Sequence, residues 1–273
     1  MSQVLSPSTP TAVPAAVAHD NAAAAAPMPP TVAPPPSAPA DGVAAVDRAL
    51  SIATTLARAS APLTLAELAR RTGMYKSTLL RLLASLARAG LVVHRSDKRY
   101  ALGPLAFLFG RSFEQTYGLK EGVQPVLEWL VNKGTESPSF HVRHGKDSRL
   151  CLFRIDSAHS TLDRVRAGDV LPLNRGAAGK VLHAFAGGLN VAGDTPLLHN
   201  SFGERDPLCG AVAAPVFGPA GILLGALSLS GPLERFSDLA VQRMNSLLFT
   251  AAETATRALG GQWPVTSGQR LAG

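Results

Sequence analysis

From residue 43 onward, apolar positions recur first at helical and later at strand spacing. Val43, Val46, Leu50, Ile52, Ala53 and Leu56 predict a helix running to about Ala59. Pro62 punctuates the chain, and Thr64-Leu65-Ala66-Glu67 has the form of a capping box that opens a second helix ending by Gly73. A third helix is predicted over Tyr75 to Ala89, with Leu79, Leu80, Leu83 and Leu86 as its inward face. It stops at Gly90, a residue that adopts the left-handed conformation without strain. Residues 91–95 and 98–102 then flank a turn at Ser96-Asp97, which predicts a hairpin. Gly103-Pro104 introduces a helix carrying Leu105, Phe107, Leu108, Phe109 and Phe113. It is apolar around most of its circumference, which points to burial between domains or between subunits. A further helix is expected from Glu121 to about Lys133.

Beyond Pro138 the period shortens. Residues 139–143 and 149–155 are predicted strands joined across His144 to Asp147, and residues 161–173 read as mixed strand and loop. A short helix is expected over Gly176–Ala186. Two apolar strands, Ala211–Phe217 and Ile222–Ser230, surround the Gly218-Pro219-Ala220-Gly221 turn. A long helix from Glu234 to about Leu259 closes the pattern. The expected fold class is α+β: a winged helix-turn-helix over 41–103, a linker helix over 104–120, and an α/β domain over 121–262 with strands flanked by helices.

Residues 1–40 depart from this. They hold ten of the 21 prolines, twelve alanines and one charged residue, and they carry no periodic apolar face. A disordered tail is expected there, with at most transient helix over Ala22–Ala26, and a flexible tail is expected over 263–273.

Charge sharpens the division. The 273-residue chain carries a net +7, and residues 41–111 alone have eleven Lys/Arg against four Asp/Glu. Residues 112–273 have fifteen against fourteen. The excess therefore sits on the helical head, where a polyanion would be attracted. Cys151 and Cys209 form neither a CxxC pair nor a His/Cys cluster, so no disulfide framework and no metal site is expected, and a reducing cytoplasm is the expected compartment. No apolar run reaches membrane-spanning length, and no basic segment precedes an apolar stretch as in a signal peptide.

The third helix presents Lys76, Ser77, Thr78, Arg81, Ser85 and Arg88 opposite its leucines. Arg81 is the candidate base reader, because a guanidinium donates two bonds to a guanine edge. Lys76, Ser77 and Thr78 sit at the helix start, where exposed amides assist phosphate contacts. Thr64 caps the preceding helix, and Arg95, Lys98 and Arg99 on the hairpin are expected to touch the backbone or the minor groove. The expected partner is double-stranded DNA.

The same residues carry a family resemblance. Asp47-Arg48-Ala49-Leu50, Lys76-Ser77-Thr78 with Arg81-Leu82-Leu83, and Tyr100-Ala101-Leu102-Gly103 resemble the N-terminal region of the IclR family of bacterial transcriptional regulators. Leu171-Pro172-Leu173, Ala178-Gly179-Lys180, Ala213-Ala214-Pro215-Val216-Phe217 and Leu227-Ser228-Leu229-Ser230-Gly231-Pro232 continue it, over roughly residues 43–260. The resemblance implies a homodimer or dimer of dimers on palindromic operators, and a GAF-like C-terminal domain that binds a small organic or aromatic acid. It implies effector contacts at Ala177, Ala178, Ala211, Ser228 and Ser230. Arg164 and Arg166 precede that loop and are added as candidates to neutralise an anion. The chain is short around 187–203, where the family inserts helices over the pocket, so a pocket more open to water is expected.

Two other readings compete with an effector-responsive regulator, for which repression is the expected sign. A ligand-independent DNA-binding protein would keep the head and use the C-terminal domain only to oligomerise. An enzyme would need chemistry from His141, His144, Cys151 and His183. The spacing of His141 and His144 puts them on opposite strand faces, and no phosphate loop or nucleophile elbow is present, so no catalysis and no cofactor are expected.

Overall fold

The computed structural model describes residues 42–189 and 195–264. The tail expected over 1–40, with its Ala22–Ala26 segment, and the C-terminal tail from 265 lie outside them. The described residues fall into two units, 42–118 and 119–264.

The first unit contains α1 (Ala44–Ala57), β1 (Leu63–Thr64), α2 (Leu65–Thr72), α3 (Lys76–Arg88), β2 (Val92–His94), β3 (Arg99–Leu102) and α4 (Pro104–Tyr117). The Thr64 capping box is formed in both directions: the Glu67 amide donates to Thr64 Oγ1 at 3.2 Å, and the Thr64 amide donates to the Glu67 carboxylate at 2.7 Å. The bonds donated by the Thr64 amide and by the Thr64 hydroxyl, the latter at 2.8 Å, hold the Glu67 carboxyl below its ordinary pKa. Gly73 closes α2 at φ +71, and Gly90 follows α3 at φ +76, both in the left-handed region that glycine enters freely. The hairpin β2–β3 pairs Val92 with Leu102 and His94 with Tyr100, and β1 adds to its other edge, giving the order β1-β3-β2. Ile52, Leu56, Leu68, Leu79, Leu83 and Val92 fill the core between helices and ribbon.

Two expectations about apolar faces change. On α1, Ile52 and Leu56 are buried, but Val43, Val46 and Leu50 are exposed. At 100° per residue these two sets lie on different sides of the helix, so one core takes only one of them. On α3, Leu80 is 49% exposed, whereas Leu82 packs against the core with Leu79, Leu83 and Leu86. Leu80 lies about 100° around from Leu79, outside the inward arc.

The second unit contains α5 (Leu119–Asn132), β4 (Ser137–His144), β5 (Ser148–Arg154), β6 (Val170–Pro172), α6 (Ala177–Ala184), β7 (His199–Phe202), β8 (Cys209–Phe217), β9 (Leu223–Pro232) and α7 (Asp238–Ala258). Its strands form one antiparallel sheet in the order β6-β5-β4-β9-β8-β7. Strand β7 has no counterpart in the sequence pattern. Helices α5 and α7 pack together and against the sheet, while α6 packs on Ala213 and Ala226. The intervening residues Val212, Ala214, Leu227 and Leu229 are buried as well, so β8 and β9 are covered on both faces. The buried Thr256 of α7 accepts the Phe217 amide at 3.1 Å and anchors the long helix to the end of β8. Among the described residues, no helix is long and apolar enough to cross a membrane.

Candidate nucleic-acid interface and a buried cavity

On α3 the buried and exposed faces are cleanly divided. Leu79 and Leu83 are buried, Ser77, Arg81, Ser85 and Arg88 are exposed on the other side, and Lys76 is exposed at the first position of the helix. Thr78 is half-buried at the edge of that face. The Ser85 hydroxyl lies 3.4 Å from the Arg81 carbonyl and so remains on the helix surface. Arg81 has no side-chain partner among the described residues, which leaves its guanidinium free to meet a base edge. Tyr75, at the N-cap of α3, is 85% exposed beside the same face. Sequence reasoning passed it over because periodicity assigns no role to a cap residue.

The hairpin cations differ from one another. Lys98 stands exposed at the tip, in the left-handed region at φ +60. Arg95 lies 3.5 Å from Asp97. Arg99 is engaged inside the unit: Nη1 donates to the Pro62 carbonyl at 3.0 Å and lies 3.5 Å from the Glu67 carboxylate. Arg99 thus ties β3 to the α2 cap, with its side chain still 42% exposed. Tyr100 stacks on His94 at 4.5 Å and stiffens the ribbon between these residues.

In the second unit a cavity of about 30 Å³ lies where the start of α6 faces β4, β5, β8 and β9. Ala177, Ala178, Ala211, Ser228 and Ser230 line it, and so the sheet brings together five residues that were chosen from separate stretches of sequence. Arg164 and Arg166 do not line it. Both are exposed, while their neighbours Asp163 and Val165 point inward. Strand-like alternation in this segment turns every second residue outward, and the two arginines fall on the outer set.

Among the lining residues missed as effector contacts are four with charged or imidazole side chains: His141, Arg149, Asp163 and Arg205. Arg149 is 3% exposed, and its Nη1 donates to the carbonyls of Pro172 and of Arg175, the latter at 2.6 Å. Burial, reinforced by Arg205, lowers its pKa to about 10. His141 is buried, with Nε2 3.0 Å from the Ser139 hydroxyl. Burial and then the charges of Arg149 and Arg154 keep its imidazole neutral well below the ordinary 6.5. Asp163 is fully enclosed, with one oxygen 2.5 Å from Arg154 and the other 3.5 Å from Arg205. The signal for Arg149 was available in Arg149-Leu150-Cys151: a charged residue at an inward strand position is costly unless something meets it.

Glycines make the room. A Cβ at Gly176 would stand 3.2 Å from Arg149 Nη2, and one at Gly179 would strike the Leu173 carbonyl and stand 2.9 Å from Arg149 Nη1. The short stretch around 187–203 supplies β7, whose Ser201 lines the cavity; residues 190–194 lie outside the described ones. Lys180 of α6 donates to the Asn200 carbonyl at 2.9 Å and to Glu204, closing helix against strand.

Of the residues of the enzyme reading, His141 and Cys151 pair across β4 and β5, and the other two lie apart from them. His144 and His183 are exposed, and burial pushes the Cys151 thiol up to about 12, far from the range of a nucleophile. Among the described residues, no group of three or more His, Cys, Asp or Glu side chains could hold a metal ion.

The family model of the IclR helix-turn-helix domain matches residues 45–96. The HTH-type transcriptional regulator BhcR of Paracoccus denitrificans is 30% identical over 242 residues, which span 77% of this chain and 85% of that protein. The chain belongs to the IclR family of transcriptional regulators. The transcriptional repressor IclR of Escherichia coli is 27% identical over 259 residues, 82% of this chain and 93% of that one. Among solved structures, an IclR homologue from Microbacterium hydrocarbonoxydans complexed with 4-hydroxybenzoate shares the fold. Its TM-score is 0.62 at 19% identity, covering 79% of this chain and 98% of that one. The IclR-family chain is a DNA-binding transcriptional regulator and not an enzyme, as its relatives are.

Proposed function

We propose that this regulator is a cytoplasmic, effector-responsive repressor, which binds its operator as a homodimer or dimer of dimers and releases it when an organic acid enters the cavity of the second unit. The observation that carries the DNA-binding half is the exposed row Ser77, Arg81, Ser85 and Arg88 on α3, set opposite the buried Leu79 and Leu83 behind an intact capping box. Such a helix enters a major groove with its polar row toward the bases while its leucines hold it to the body of the head. Lys76 and Lys98 contribute phosphate contacts and the salt dependence.

Self-association is supported by apolar side chains left in water on the first unit: Val43, Val46 and Leu50 on α1, and Phe107, Leu108, Phe109 and Phe113 on α4. A helix with no buried residue and four exposed large apolar ones finds its partner surface outside its own unit. Two heads joined this way would meet half-sites one or more helical turns apart. The effector role is supported by a cavity in which charged and hydroxyl-bearing side chains stand among small apolar ones, and by the 4-hydroxybenzoate bound to the Microbacterium homologue.

Footprinting on DNA upstream of the regulator's own gene tests the reading. A protected, two-fold symmetric site released by an organic acid is expected. Equal affinity for that fragment and for random DNA, across salt concentrations, overturns it.

A further inference from the structure

The exposed side of α3 carries four side chains that adjoin one another. Ser77 lies three residues before Leu80 and four before Arg81, and Ala84 lies four after Leu80 and three after Arg81. Residues at those separations are neighbours on a helix surface, so the four close a diamond. All four are exposed. Ser77 and Arg81 supply its polar half, and Leu80 and Ala84 present only hydrocarbon. Leu80 is 49% exposed, although Leu79, Leu82, Leu83 and Leu86 of the same helix all join the core of the unit. A single exposed leucine is ordinary on a protein surface. This one shares its patch with an alanine and flanks the free arginine of a family-matched DNA-binding helix, on the head that holds the chain's excess of positive charge.

Base edges in the major groove offer such a patch one alkyl group. Thymine carries a C5 methyl beside its O4 acceptor, whereas cytosine has hydrogen at that carbon and guanine presents the N7 and O6 acceptors. We infer that Leu80, backed by Ala84, reads the C5 methyl of a thymine at a base pair neighbouring the one that Arg81 reads. This rests on the reading that α3 enters the major groove, and it adds a second specificity-determining residue to that helix. The two residues discriminate by different physics. Arg81 selects through hydrogen bonds to a guanine edge, and Leu80 through apolar surface withdrawn from water, which cytosine at the same place does not match. A contact of the second kind releases no counterions, so it contributes affinity without salt dependence.

The test begins with the full chain selecting its preferred duplex from a random library. Each thymine of the selected half-site, on either strand, is then replaced in turn by deoxyuridine, which lacks the C5 methyl and keeps every hydrogen-bonding group. One such replacement is expected to weaken binding by the unaltered chain about fourfold, the value of one methyl-sized group taken out of water. Leu80→Ala is expected to lose a similar factor on the thymine duplex, to keep the slope of log affinity against log salt, and to be indifferent to the deoxyuridine replacement. The deoxyuridine scan is read on the unaltered chain, so it decides the matter even where Leu80→Ala fails to fold. A selected half-site in which every thymine tolerates deoxyuridine overturns the methyl contact and leaves α3 in the groove. An undiminished deoxyuridine penalty in Leu80→Ala gives the methyl to another side chain and overturns the role of Leu80. Dissociation of the DNA-free assembly by Leu80→Ala in sedimentation runs places the leucine between subunits and overturns it too. Failure to enrich any sequence overturns the reading of α3 together with the contact.

Discussion

Arg81 and Arg149 carry the same guanidinium into opposite surroundings, one on a helix face in water, the other enclosed between sheet and helix. On α3 of the first unit, Arg81 and its exposed neighbours are held only by the helix that displays them. Their replacement should alter binding and leave the fold alone. In the second unit the cavity side chains are also framework: Arg149 bonds the carbonyls before α6, and Asp163 joins two arginines. There the fold and the site cannot be perturbed separately. A hydrated cation exchanges water for phosphate at small cost, whereas a desolvated one is committed to whatever the protein or a ligand supplies.

The largest effect should come from the packed side of this contrast. Gly179→Ala drives a methyl against the Leu173 carbonyl and Arg149, and is expected to destabilise by about 1–3 kcal/mol in thermal or urea melts. An unchanged midpoint would show that α6 can shift freely, removing the distinction between the units. On the exposed side, Arg81→Ala should cost roughly 1–3 kcal/mol of operator binding and relax specificity at one base position, with the melting transition unmoved. Equal losses on operator and random DNA would reduce Arg81 to a phosphate contact.

The pH dependence separates the units more finely. His141 stays neutral in the folded chain well below 6.5, while the unfolded chain takes up a proton near that value. Since the unfolded state binds more protons, stability is full above about 6.5 and falls as pH drops below it, by at most roughly 1.4 kcal/mol per pH unit. His141→Asn should flatten that slope, and denaturation curves between pH 5 and 7 would reveal it. A slope that persists in the variant would assign it elsewhere, His199 being the other buried-side imidazole with a lowered value. The smallest effect is expected for Lys98→Ala: a fall of roughly 0.9 in the slope of log affinity against log salt, alike for all sequences. Arg99→Ala, in contrast, should lower stability, because its guanidinium holds the Pro62 carbonyl and the α2 cap.

The head was readable almost residue by residue. The third helix, predicted over 75–89, spans Lys76–Arg88, and the turn glycine and capping box stand where the pattern placed them. The misjudged positions, Leu80 and the line Val43, Val46 and Leu50, are apolar residues whose side of the helix is settled by what lies opposite. The cavity was half readable. Ala177, Ala178, Ala211, Ser228 and Ser230 converge, but the arginines that line the cavity are Arg149 and Arg205 rather than Arg164 or Arg166. Strand β7 was invisible because His199-Asn200-Ser201-Phe202 has no apolar alternation of its own and is ordered by pairing with β8.

What the amino-acid order determined by itself is the DNA-reading head, since caps, turn glycines and helical stripes act between residues three or four apart and need no distant partner. The tertiary structure alone decided which cation is buried without a counter-charge. That depends on strands from residue 137 to residue 232 meeting in register, and on α6 descending where two glycines let it approach. Local rules act over short separations along the chain; the electrostatics of an enclosed site depends on which charges long-range pairing brings within reach.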